Sequence, residues 1–253
     1  MHIETTGTGP DLVMIHGWAM HSGIFAPLTR LLAPRFRLHL VDLPGHGFSR
    51  DDGGSLDPFE CAHGIAAATP RAIWLGWSLG GLVAMRAALD QSEHVRALVP
   101  LASSPRFVVG DDWPCGISPS VLAEFGAGLA RDYRATIERF LALEAMGSDH
   151  ARAELRELRS HAFERGEPSV SALEDGMRVL ESADLRDEIA RIAMPSLWIA
   201  GRRDRLVDPA AMRWSAERCN GRFVACDSGH APFLAHAGAL ADALDAFAAE
   251  LPA

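Results

Sequence analysis

Apolar residues along the chain fall into short runs, separated by longer stretches whose apolar positions repeat at helical spacing. Residues 12–16, 37–41, 72–77 and 97–101 are runs of strand length set off by glycine, proline or aspartate. The run 72–77 passes at once into residues 79–91, where Leu82, Met85 and Ala88 recur at helical spacing, so a strand, a tight turn and a helix are expected there. After Ser103-Ser104-Pro105 the character changes. Residues 108–183 carry helical periodicity without strand runs, and strand signals return at 196–200 and 222–226, ahead of an amphipathic helix over 237–249. Strands alternating with helices predict an α/β class, a mostly parallel central sheet flanked by helices. The expected division is a core of residues 1–107 and 184–253 with a helical lid inserted over 108–183. Neither an internal repeat nor a low-complexity tract interrupts this pattern.

The size of the chain, 253 residues with 48% of them hydrophobic, suits one large core. Formal charge is −9, which opposes an electrostatic grip on nucleic acid. All 24 basic residues are arginine, so Schiff-base chemistry and a lysine-dependent phosphate loop are both excluded. Cys61, Cys115, Cys219 and Cys226 form no CxxC pair and no dense disulfide spacing, which predicts reduced thiols. The first residues lack a basic region followed by an apolar run, and no apolar stretch reaches the roughly 18 residues of a membrane span. A cytoplasmic monomer acting without nucleic acid or membrane is the expectation.

The chemistry concentrates at Gly76-Trp77-Ser78-Leu79-Gly80-Gly81. It matches G-x-S-x-G at a strand-to-helix junction, where small neighbours permit a sharp turn and a serine hydroxyl projects from the carboxyl end of the sheet. The bland reading is a glycine-rich turn with a helix-capping serine. A nucleophilic serine needs a base and a third group that orients the base, and on such a scaffold these follow in the order serine, acid, histidine. The run Leu197-Trp198-Ile199-Ala200 leads to Asp204, and Phe223-Val224-Ala225-Cys226 leads to His230. Asp208, next to Pro209, reads as a helix cap. Asp227 reads as a partner for a local backbone N–H, and His16, which precedes the serine, as part of an oxyanion loop. Asp204 is therefore favoured as the acid. The oxyanion donors are expected to be the backbone N–H of Leu79 and, from His16-Gly17-Trp18, that of Trp18. Such chemistry calls for no metal and no cofactor.

These motifs resemble the α/β-hydrolase superfamily over essentially the whole chain. Val41-Asp42-Leu43-Pro44-Gly45-His46-Gly47-Phe48-Ser49 looks like that superfamily's loop after an early strand. Within it, the nearest resemblance is to the carboxylesterases of biotin synthesis that act on pimeloyl-[acyl-carrier protein] methyl ester. It rests on His16-Gly17-Trp18, the serine motif, Glu138-Arg139-Phe140-Leu141-Ala142-Leu143, Met146-Gly147 and Gly229-His230-Ala231-Pro232-Phe233. The resemblance implies substrate contacts from Trp18, Trp77, Leu79, Phe140, Leu141, Ala142, Leu143, Glu144 and His230. It also implies docking of an acyl carrier protein on Arg139, Arg152 and Arg156, with Arg134 and Arg159 as weaker candidates. Arg152, Arg156 and Arg159 share a helix face by spacing, while Leu155 and Leu158 fall toward another. Glu154 and Glu157 are interleaved with them, so a solvated face laced by local ion pairs is the competing reading. A general short-chain carboxylesterase, a carbon-carbon bond hydrolase, a cofactor-free perhydrolase or haloperoxidase, and a non-catalytic receptor on the same fold stay open.

Overall fold

In a computed structural model describing residues 1–252, the six strand-length runs become strands of one sheet, joined by a seventh strand at the edge. The strands are β1 (His2–Gly7), β2 (Asp11–Ile15), β3 (Arg37–Asp42), β4 (Ala72–Trp77), β5 (Val95–Leu101), β6 (Leu197–Gly201) and β7 (Arg222–Cys226). Their spatial order is β1-β3-β2-β4-β5-β6-β7, with β1 antiparallel to β3 and every other pairing parallel. Parallel strands are joined by helical crossovers that cover the sheet, which is why β4, at its centre, is buried at every residue. β1 escapes sequence reading because His-Ile-Glu-Thr-Thr-Gly exposes most of its side chains at an edge and offers no apolar run.

The helices are α1 (Ala26–Leu32), α2 (Pro58–Ala68), α3 (Leu79–Asp90), α4 (Pro119–Ala145), α5 (Ala151–Ala162), α6 (Val170–Ser182), α7 (Pro209–Arg218), α8 (Pro232–Ala235) and α9 (Ala237–Ala249). α1 packs on α9 and α2 on α3. Helices α4 to α6 lie between β5 and β6 in the chain and pack chiefly on one another, α4 touching both of the others. Residues 108–117, expected to be helical, instead form a looped segment with bridges Val108–Ile117 and Gly110–Trp113. Asp132 breaks α4 with φ −158° and ψ 91°, and its carboxylate accepts the Ala135 N–H at 3.0 Å, capping the helix that restarts after it. Among the described residues the four cysteines form no disulfide, and no helix is long and apolar enough to cross a membrane.

Close approach of β2 and α3 depends on Gly80, where a Cβ would sit 2.5 Å from the His16 carbonyl oxygen and as close to that of Ile15. Neither backbone oxygen can yield without disturbing the sheet. Gly80→Val is expected to destabilise the fold by about 3 kcal/mol, read as a lower urea midpoint at unchanged slope.

Candidate active site

The turn from β4 into α3 holds Ser78 at φ 54° and ψ −120°, a backbone conformation that a residue with a Cβ rarely adopts. Three bonds impose it. The Ser78 N–H donates to Leu101 O at 3.0 Å, while its carbonyl accepts from the Gly81 N–H at 2.9 Å and the Ser103 hydroxyl at 2.7 Å. Ser103 follows β5, so the neighbouring strand's end braces the turn. The side chain does not cap α3. Its Oγ faces His230 Nε2 at 2.9 Å instead, which removes the capping-serine reading.

His230 and Asp204 come from the loops after β7 and β6, at the same end of the sheet. His230 Nδ1 lies 2.8 Å from Asp204 Oδ2, and Asp204 Oδ1 accepts the N–H groups of Leu206 and Val207 at 2.8 and 3.0 Å. Since the carboxylate can only accept, Nδ1 carries the proton and Nε2 is free to accept from Ser78. His230 is fully buried and Ser78 is 2% exposed. Burial opposes a protonated ring here, but the adjacent Asp204 carboxylate, by charge and hydrogen bond, outweighs it. His230 therefore lies above the ordinary imidazole value.

The competing residues separate cleanly. Asp208 caps α7, accepting from the Ala210 N–H at 2.8 Å. Asp227, expected to bond a local backbone N–H, is exposed and pairs with Arg202 at 3.1 Å, because its side chain points to solvent beyond the β7 edge. His16 is buried, donates from Nδ1 to Gly17 O at 2.7 Å and accepts from the Leu43 N–H at 3.0 Å through Nε2. Burial, with the charge of neighbouring His46, pushes its ring down to about 3, so it is a neutral brace of the loop bearing Trp18.

Gly17 permits that loop to reach the nucleophile, since a Cβ there would lie 3.1 Å from Ser78 Cβ. Trp18 is buried with its indole N–H on Leu173 O at 2.9 Å and its ring against Phe140, centroids 4.7 Å apart. Leu79 is buried beside Gly176 of α6. Trp77, expected among the substrate contacts, lies wholly buried against His230 and Phe233 and donates its indole N–H to His230 O at 2.8 Å. Its ring fills the space between His230, Phe233 and Gly17, where a Cβ would lie 3.1 Å from the indole. Of the α4 residues, Phe140, Leu141 and Glu144 are buried and Leu143 is half-buried, whereas Ala142 is exposed: helical spacing turns it outward.

Arg139, Arg152 and Arg156 are all exposed. Arg139 lies 3.7 Å from Glu124, while Arg152 and Arg156 make no ion pair among the described residues. Arg134 pairs with Glu167, and Arg159 with Glu138 at 2.5 Å. Glu154, expected on the solvated face, is buried and accepts from the Ser148 hydroxyl at 2.6 Å. It falls on the face of α5 that carries buried Leu158 and Ala162, so the interleaved ion-pair reading loses that member.

Sequence reasoning missed Arg165, which ties the α5–α6 connection to the β2 and β3 loops. It reaches Asp42 Oδ2 at 3.3 Å and Ser22 Oγ at 3.0 Å, and stacks over Phe48 at 4.6 Å. Only buried Asp42, which already accepts the Ser22 and Phe48 N–H groups, hints in the sequence at such a partner.

Residues 12–243 match the alpha/beta hydrolase family. The chain is 56% identical to a pimeloyl-[acyl-carrier protein] methyl ester esterase of Xanthomonas campestris pv. campestris, with 100% of each chain covered. It is 55% identical to one of Stenotrophomonas maltophilia, covering 99% of this chain and 97% of that one. Among solved structures it is similar in fold to an esterase from Exiguobacterium antarcticum (TM-score 0.86, 22% identity, 98% and 95% coverage). A bromoperoxidase from Bacillus anthracis is equally similar (TM-score 0.86, 20% identity, 98% and 95% coverage).

Proposed function

Because the chain belongs to the alpha/beta hydrolase family, we propose that it is a serine carboxylesterase that hydrolyses the methyl ester of pimeloyl-[acyl-carrier protein] in biotin synthesis. The observation that carries the chemistry is the Ser78–His230–Asp204 line of hydrogen bonds, and the substrate rests on the full-length relatives. His230 accepts the Ser78 proton as Oγ attacks the ester carbonyl, and the Leu79 and Trp18 N–H groups hold the oxyanion. Methanol departs with the proton from His230. Water, deprotonated by His230, then attacks the acyl-enzyme and returns Ser78 with a free carboxyl on the carrier-borne chain. Asp204 holds the histidine tautomer throughout. Residues 108–183 form the lid over a core of 1–107 and 184–253, and Trp18, Leu79, Phe140, Leu141, Leu143 and Glu144 enclose the acyl chain. The enzyme works in the cytoplasm as a monomer. Its test is growth without biotin: a strain lacking the esterase should be restored by this chain and not by its Ser78→Ala variant.

Docking of the acidic carrier falls to Arg139, Arg152 and Arg156. A chain of net charge −9 repels an acidic protein unless positive charge is concentrated locally, and unpaired Arg152 and Arg156 on one face of α5 supply it. Reversing both to glutamate should raise KM for the acyl-carrier substrate about tenfold or more, through slower association, and leave hydrolysis of a small ester within about twofold. The difference should shrink as salt rises, since screening lengths fall to about 3 Å at 1 M. Equal losses on both substrates would reject docking at these arginines.

A further inference from the structure

At the end of α4 the chain clasps the histidine loop. The His230 N–H donates to Glu144 O at 3.2 Å, and a Cβ on Gly229 would lie 3.2 Å from that same oxygen and 3.1 Å from Met146 O. The Glu144 side chain turns inward from this clasp. It is fully buried, and neither Oε1 nor Oε2 has a hydrogen-bond partner. A buried carboxylate without donors is among the least tolerable groups in a protein interior, whereas the protonated acid is far cheaper to keep there.

The charged groups that act on this carboxyl are His230, from the β7–α8 loop, and Asp204, from the β6–α7 loop. The other charged residues of the neighbourhood are engaged elsewhere: Glu154 of α5 with Ser148, and Arg203 with Asp149 at 2.8 and 2.7 Å. Among the described residues no arginine pairs with Glu144. We propose that Glu144 is a positioning residue for His230 that works as a neutral carboxylic acid, and that loss of its proton shuts the site down from the alkaline side.

Two effects of the ionised form act in the same direction. A carboxylate beside His230 favours the imidazolium, which cannot accept the Ser78 proton, and it opposes the negative charge that grows on the substrate oxygen. Burial foremost, partly offset by His230 and reinforced by Asp204, pushes the carboxyl up to about 8. The acid is then neutral through the neutral range and ionises within reach of measurement.

This inference rests on the serine-hydrolase reading but not on the carrier protein, so a small p-nitrophenyl ester is the probe. The wild type should show kcat/KM about tenfold below its plateau at pH 9, the fraction expected when a single essential proton leaves near pH 8. Glu144→Gln, compared with its own plateau, should lack that alkaline limb while keeping the acid limb set by His230. Coincident alkaline limbs in the two proteins would overturn the proposal. A titration of the His230 ring nitrogens of the wild type by NMR is independent of how the variant folds. A second inflection near pH 8 is expected, and a single-step titration would overturn the inference. Fluorophosphonate labelling of Ser78 at pH 7 separates the two levels. A labelled wild type without the second inflection rejects Glu144 alone, and an unlabelled one rejects the hydrolase reading and this inference with it.

Discussion

Ser78→Ala is expected to lower kcat on any ester by about 10⁶-fold while leaving the fold intact, the scale of loss when the nucleophile of a serine triad is removed. The backbone bonds that hold the turn run from Ser78 N and to Ser78 O, none of them through Oγ, so alanine keeps every bond that shapes the turn. Only the contact to His230 Nε2 disappears. Steady-state kinetics with a circular dichroism control decides it, and residual turnover within tenfold of wild type would place the nucleophile elsewhere.

Asp204→Asn should be nearly as damaging, at roughly 10⁴-fold in kcat. An asparagine can keep its Oδ1 on the Leu206 and Val207 N–H groups, which leaves the loop in place. Its amide then faces His230 Nδ1 as a donor where the carboxylate accepted, so the ring must carry its proton on Nε2. A proton there points at Ser78 and forbids general-base work. The sign of the pH effect follows from the same change. Asp204 holds His230 above the ordinary imidazole value, so the remaining activity should keep its plateau to lower pH than wild type does. An acid limb that moves upward, or kcat reduced by less than tenfold, would contradict the assignment.

The strands and the triad were legible because their signals are local. Residues 72–77 form an uncharged, apolar run that leads straight into Ser78 with Gly76 and Gly80 two positions to either side, and the two partner loops each follow an apolar run. β1 was not legible, since an edge strand with one antiparallel neighbour needs few buried side chains. α1 and α2 went unread, although Asp57 caps α2 ahead of Pro58 at its first turn, because neither helix carries a long apolar stripe in the sequence. Side-chain surroundings were the hardest to foresee. Trp77, Glu144 and Glu154 have ordinary neighbours in sequence, and only the packing of α4, α5 and the β7–α8 loop determines that two of them are buried acids and one holds a histidine's carbonyl. Arg165 belongs to the same class: its partners Ser22 and Asp42 lie more than a hundred residues away.

A nucleophile only 2% exposed has a kinetic implication. Because Trp18 and Leu79 beside it lie against Phe140 of α4 and Gly176 of α6, turnover limited by the parting of those helices would show as a kcat that falls as solvent viscosity rises, and a viscosity-independent kcat would assign the limit to bond breaking. Asp132 breaks α4 into two arms, so the stretch that carries Phe140 is a helical piece separate from the one that begins at Pro119.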